Sequence, residues 1–198
     1  MMKYLFQILI INLLLLSGCK SDSDYIVDKD DSKIYSSFEK IESSDSNIDF
    51  INKITPSFDN KANLFDYDYF YNGSGVGVAD FNNDGLKDII LTANQTENKI
   101  YVNKGGLVFE DISIDANINQ NKKWSSGVAI ADVNNDGWMD IYISQGGPNS
   151  ANDRKNLLYI NQKDLTFKEQ AQEYGLADEG ISTQSAFFDF DKDGDLDC

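Results

Sequence analysis

The sequence predicts an all-β fold built from repeated four-stranded units, on three observations. An acidic nine-residue motif recurs three times, as DFNNDGLKD at 80–88, DVNNDGWMD at 132–140 and DFDKDGDLD at 189–197, with first acids 52 and then 57 residues apart. Between the copies lie short segments rich in Val, Ile, Phe and Tyr, separated by Gly, Asn and Asp. No stretch long enough for a substantial helix shows a 3.6-residue apolar period. Four strands roughly every 50 residues, each unit hiding its faces against the next, is the arrangement of propeller blades. The expectation is a partial β-propeller: two complete blades plus the start of a third.

In the first unit the strands are expected at 75–81, 88–91, 100–103 and 108–112. In the second they are expected at 127–133, 140–144, 157–161 and 166–171, and residues 169–174 suit a turn or two of helix. A second motif keeps the same beat: IYVN at 100–103 returns as LYIN at 158–161. FEDI at 109–112 is answered by FKEQ at 167–170, and a weaker copy, FEKI at 38–41, opens the domain. The aromatic run 65–71 (FDYDYFY) alternates as a half-buried strand does, with stacking on sugar rings as its alternative role. The glycines of NGSGVG at 72–77 suit close packing of an inner strand; an acidic hairpin downstream argues against a phosphate loop. Trp124 and Trp138 flank the second inner strand as packing residues, with Trp124 also placed for a binding face.

Composition narrows the chemistry. The 198 residues include 17 basic and 33 acidic side chains, a formal charge of -16, and no histidine. That balance excludes nucleic acid as a partner, because neutralising phosphates needs a basic surface. Without histidine there is no His-based triad, no histidine zinc site and no ordinary general base near neutral pH. Two cysteines, Cys19 and Cys198, make neither a zinc site nor a disulfide framework.

The recurring pattern D-x-[DN]-x-D-G-x-x-D suits calcium, which takes about six to eight oxygen ligands. Side-chain oxygens are expected from Asp80, Asn82, Asp84 and Asp88, from Asp132, Asn134, Asp136 and Asp140, and from Asp189, Asp191, Asp193 and Asp197. Backbone carbonyls are expected from Leu86, Trp138 and Asp195, and the glycine at the sixth position permits the sharp turn. An EF-hand would need a glutamate at its twelfth position between helices, where this chain has Leu91 and Ile143 inside strand-like runs. Tight Asx turns account for Asn83, Asp84 and Gly85 but give no reason for Asp80 and Asp88 to recur. Acids gathered this closely repel one another, and calcium would neutralise them.

The N-terminus reads as an address. A positive start at residues 1–3 precedes an apolar run over 4–16, which suits a signal-peptide core better than a bilayer span. The run ends in LSGC at 16–19, which resembles the bacterial lipobox, so residues 1–18 are expected to be removed and Cys19 lipidated. Residues 19–37 follow as a Ser/Asp-rich tether of ~20–25 Å reach, and 38–198 form the repeat domain. KSDSD at 20–24 is similar to the surface-export tags of some Gram-negative lipoproteins, which implies the outer membrane or cell surface.

Taken together, GVGVADFNNDG at 75–85, GVAIADVNNDG at 127–137, NKIYVN at 98–103 and NLLYIN at 156–161 resemble the FG-GAP/VCBS-repeat β-propellers. This superfamily includes the integrin α-subunit propeller. More narrowly, the chain looks like lipoproteins whose propeller precedes an ASPIC/UnbV module. The resemblance implies calcium at each loop position named above. Propellers close with roughly four to eight blades, so a chain ending at Cys198 is expected to be an N-terminal fragment. The function expected is a non-enzymatic, calcium-stabilised binding or adhesion module for a glycan or protein. The alternative is the scaffold of a polysaccharide-degrading enzyme with its catalytic residues further along the chain.

Overall fold

The computed structural model describes residues 39–118, 123–148 and 150–198. The expected signal peptide over 1–18, the tether over 19–37 and the lipidation site Cys19 lie outside the described residues. A single helical turn, α1 (Ser43–Ser46), opens the described chain and closes on Asn47 in the left-handed region at φ 60°. Eight strands follow. They are β1 (Val76–Ala79), β2 (Asp88–Leu91), β3 (Lys99–Asn103), β4 (Phe109–Asp111), β5 (Ser125–Ala131), β6 (Asp140–Gln145), β7 (Leu157–Asn161) and β8 (Phe167–Glu169).

They form two four-stranded antiparallel sheets, β1-β2-β3-β4 and β5-β6-β7-β8, each ordered as in the sequence. The all-β expectation holds, and each strand overlaps the segment expected for it, although β5 begins and ends two residues earlier than 127–133 and β1, β4 and β8 are shorter than expected. Register follows burial. In β1 the residues alternate exposed and buried, so Val76 and Val78 face outward while Gly77 and Ala79 face the second sheet. Every residue of β6 and β7 is buried, because that sheet is covered on both faces.

The main core lies between the sheets. Ala79, Phe81, Ile90 and Ile100 of the first unit meet Val128, Ile141, Ile143, Leu157, Tyr159 and Phe167 of the second. Phe81 and Phe167 cross edge to face with centroids 5.8 Å apart. A second cluster of Tyr142, Leu158, Ile160 and Ala171 is capped by Leu176, Ala177 and Phe187 from the next repeat. Glycine sets the spacing between units: a Cβ at Gly75 would lie 2.8 Å from the backbone nitrogen of Val128. At Gly127, the equivalent position, a Cβ would run into the backbone carbonyl of Thr183.

One expectation needs correcting. Residues 65–71 form consecutive turns rather than a strand, held by Tyr67 N–H to the Asn63 carbonyl (3.0 Å) and Phe70 N–H to the Tyr67 carbonyl (3.1 Å). The reason is local: Asn63 Oδ1 also accepts the N–H groups of Phe65 and Asp66, winding the chain into an Asx turn that beats the strand propensity. The third repeat is present as its opening bridge, with Phe188 and Asp197 exchanging backbone hydrogen bonds of 3.1 and 3.0 Å. Residues 169–174 make the expected turn, with the N–H groups of Glu173 and Tyr174 both donating to the Gln170 carbonyl.

Candidate metal centre

The acidic motifs are hairpin loops. Ala79 pairs with Asp88 and Ala131 with Asp140, so the first two motifs each connect the first two strands of a sheet, while the third is closed by the bridge between Phe188 and Asp197. Two left-handed residues make the bend: Asn83 and Gly85 at φ 57° and 88°, Asn135 and Gly137 at 55° and 85°, Lys192 and Gly194 at 64° and 98°. Asn83 donates through Nδ2 to the Gly137 carbonyl at 3.2 Å, so the first two loops sit side by side. Loops two and three share the walls of one cavity, lined by Asp132, Asn134, Gly194 and Asp195 among others.

Within each loop the carboxylates turn inward onto backbone N–H groups, in nearly the same pattern. Asp80 accepts from Asp84 N–H (3.1 Å) and Gly85 N–H (2.7 Å); Asp132 accepts from Asp136 N–H (2.9 Å) and Gly137 N–H (2.7 Å). Asp189 accepts from Gly194 N–H at 3.2 Å. The third-position side chains Asn82, Asn134 and Asp191 accept from the N–H two residues on. Asp84, Asp136 and Asp193 do the same for Leu86, Trp138 and Asp195, at 2.8, 3.0 and 3.1 Å. A carboxylate has about four lone-pair sites, so one N–H on an oxygen leaves that oxygen able to bind a cation.

The ninth position is different. Asp88 and Asp140 are buried, at 0% and 1% exposure. Each bridges two elements: Asp88 takes Phe81 N–H (2.9 Å) and Asn103 N–H (2.9 Å), and Asp140 takes Val133 N–H (3.0 Å) and Asn161 N–H (2.8 Å). Asp197 takes Phe190 N–H at 2.9 Å but is exposed. Burial pushes the Asp140 carboxyl up to about 6; its two N–H bonds oppose the shift, and the charges of Asp136 and Asp132 add to it. Asp88 is raised for the same reasons, with Asp84 and Asp80 as the repelling neighbours. At the loop surface, burial also works to raise Asp136, yet Lys163, 3.2 Å away, and Trp138 N–H hold it below its ordinary value. In the third loop Asp195 N–H pulls Asp193 down, while the hydrogen bond with Asp193 and its charge push Asp195 up.

Asn103 and Asn161 are the residues that motif reading of the loops misses. Besides their N–H bonds to the ninth-position acids, Asn103 Nδ2 donates to the Lys87 carbonyl (3.0 Å) and Asn161 Nδ2 to the carbonyls of Met139 (3.2 Å) and Phe81 (2.9 Å). Their signal was the asparagine closing IYVN and LYIN, one repeat apart.

The donors are all oxygens, which suits a hard cation. In the third loop Asp189, Asp191 and Asp197 each offer an oxygen within 4.8 Å of the others. Ligand oxygens lie about 2.3–2.6 Å from calcium, so oxygens on opposite sides of one ion are ~5 Å apart. The spacing therefore fits a single calcium ion held among the three acids.

Fold and site together define a repeat protein of antiparallel four-stranded sheets carrying acidic hairpins at one end. Residues 80–143 match the FG-GAP-like repeat family, a stretch that starts at the first loop acid and ends in β6. A 77-residue segment is 34% identical to cartilage acidic protein 1 of Xenopus tropicalis, covering 38% of this chain and 12% of that protein. The chain thus corresponds to a small part of that curated relative.

Proposed function

We propose that this chain is an exported, lipid-anchored, calcium-stabilised β-propeller segment that works as a non-enzymatic binding or adhesion module for a glycan or protein. The carrying observation is the repeated loop geometry: three hairpins with the same acids, turned inward onto equivalent backbone groups. The FG-GAP-like match over 80–143 supports a binding or adhesion role, and the turn between strands supports calcium in a hairpin rather than between helices. Each ion would be held by Asp80, Asn82, Asp84 and Asp88 with the Leu86 carbonyl, and by the equivalent residues around Trp138 and Asp195. Calcium would supply the positive charge that lets these acids stay ionised and close together. Cys19 would carry the acyl anchor, placing the module at the outer membrane or surface of a Gram-negative cell.

The test is the full chain, stripped with EDTA and returned to millimolar Ca²⁺, followed by thermal melting and by binding to glycan and protein arrays. A melting point several degrees higher with Ca²⁺, together with array binding, is the expected result. Identical melting in both states would overturn the calcium assignment, and silence on both arrays would overturn the binding role. Metabolic labelling with palmitate, lost in Cys19→Ala, tests the anchor separately.

A further inference from the structure

At the end of the sheets opposite the acidic loops lies a cavity of about 210 Å³, lined by Tyr67, Tyr69, Asn72, Trp124, Ser126 and Thr183 beside Gly73. Three separate stretches build it: the turns before β1, the start of β5, and the segment of the third repeat that crosses Gly127. β1 runs from this end to Asp80 and β5 from this end to Asp132, so cavity and loops occupy opposite ends of the inner strands.

We propose that this cavity is the binding site for one ring of a neutral saccharide; this rests on the reading of the chain as a binding module and names its ligand. Three features carry it. The first is charge: in a chain with 33 acids, none of the lining residues is charged. A neutral ligand is matched, and an anionic one is disfavoured by the net charge of -16.

The second is the aromatic corner. Tyr67 stands edge-on to both Tyr69 (5.9 Å, 68°) and Trp124 (5.8 Å, 84°). Trp124, 4% exposed, is fixed as the floor by Phe70 and Gly147, whereas Tyr69 is 54% exposed. A pyranose presents a C–H face that packs on such a ring, and the rigid aromatic pays little entropy on binding.

The third is unused hydrogen-bonding capacity. The Asn72 amide and the Ser126, Thr183 and Tyr69 hydroxyls make no hydrogen bond to another described residue and so are open to a ligand from solvent. The Tyr67 oxygen accepts Gly147 N–H at 3.2 Å, leaving its own proton to donate. Neutral donors and acceptors around an aromatic corner match ring hydroxyls, and a cavity this small takes one ring rather than several peptide side chains.

The experiment uses the full chain in Ca²⁺ with Trp138→Phe, which leaves Trp124 as the sole indole reporter. It is titrated with the methyl glycosides of glucose, galactose, mannose and N-acetylglucosamine, and applied to an array of neutral and acidic oligosaccharides. The expected result is neutral members bound, a saturable change in Trp124 emission, and affinity reduced about tenfold or more in Tyr69→Ala and Asn72→Ala at unchanged melting temperature. Tyr69 and Asn72 are exposed, so neither variant threatens the fold. Neutral-glycan binding indifferent to both variants would overturn the site and leave the binding module standing. Binding confined to acidic glycans or to proteins would overturn the ligand class alone. Silence on every array would overturn both this assignment and the reading beneath it.

Discussion

Asp140 concentrates the local conflict that the acidic loops create. It is almost wholly buried, faces Asp132 and Asp136, and keeps two N–H bonds that favour its charge, yet burial lifts its carboxyl to about 6. An unfolded aspartate titrates near ~3.9, so between those values the folded chain binds the proton more tightly. The stability this contributes is present below the unfolded value and is lost as pH rises through about 6. Asp88 acts in the same direction. In EDTA, the melting temperature should therefore fall on going from pH 4 to pH 7 more steeply in the natural chain than in Asp140→Asn. Calcium at pH 7 should restore the natural chain and do less for the variant, because the cation favours the ionised carboxylate. Parallel pH profiles for the two proteins would contradict this assignment. At Asn161, loss of the amide leaves the carbonyls of Phe81 and Met139 without their side-chain donor. Asn161→Ala should cost about 1–3 kcal/mol in a urea melt, and a cost near zero would show that water replaces the amide freely.

At the scale of strands and hairpins, stability depends on how closely neighbouring sheets approach. The Gly75 contact with the Val128 backbone has no flexible side chain to move aside, so Gly75→Ala should destabilise by about 1–3 kcal/mol. Gly73, with open space around it, lacks that constraint, although its φ of 79° still strains any side chain. A urea melt that ranked Gly75→Ala as neutral would mean the sheets can slide apart at no cost. The same contrast shows what the sequence could reveal. β2 and β7 run as the apolar segments indicate because each is a short apolar run bounded by an Asp or Asn. The loops were readable because the same acids and glycine recur at fixed intervals in three copies. Residues 65–71 were not, since the deciding interaction is Asn63 winding the backbone just upstream. The tie from Asp140 to Asn161 spans 21 residues and joins a loop to a strand, which no local pattern encodes. The cavity beside Trp124 likewise draws on residues within 67–73, on 124 and 126 and on 183, which only the packing of three repeats brings together.

For the whole molecule, the two sheets share one core and the third repeat covers the second sheet's far face, while Val76 and Val78 remain 63% and 57% exposed on the first. Their equivalents Val128 and Ile130 pack against the preceding repeat's Gly75 and Gly77. An inner strand with small residues at alternate positions would fit against them, as Gly75 and Gly77 fit Val128 and Ile130. Three acidic hairpins lie at one end of the inner strands and an uncharged aromatic cavity at the other. Calcium titration of the chelator-stripped chain by calorimetry, with melting measured at each end point, tests whether the acidic hairpins hold the ion. Saturable heat from the loop sites, a rise in melting temperature, and loss of both when Asp80, Asp132 and Asp189 are changed together to Ala is the predicted result. No heat and an unchanged melt in the natural chain would contradict it.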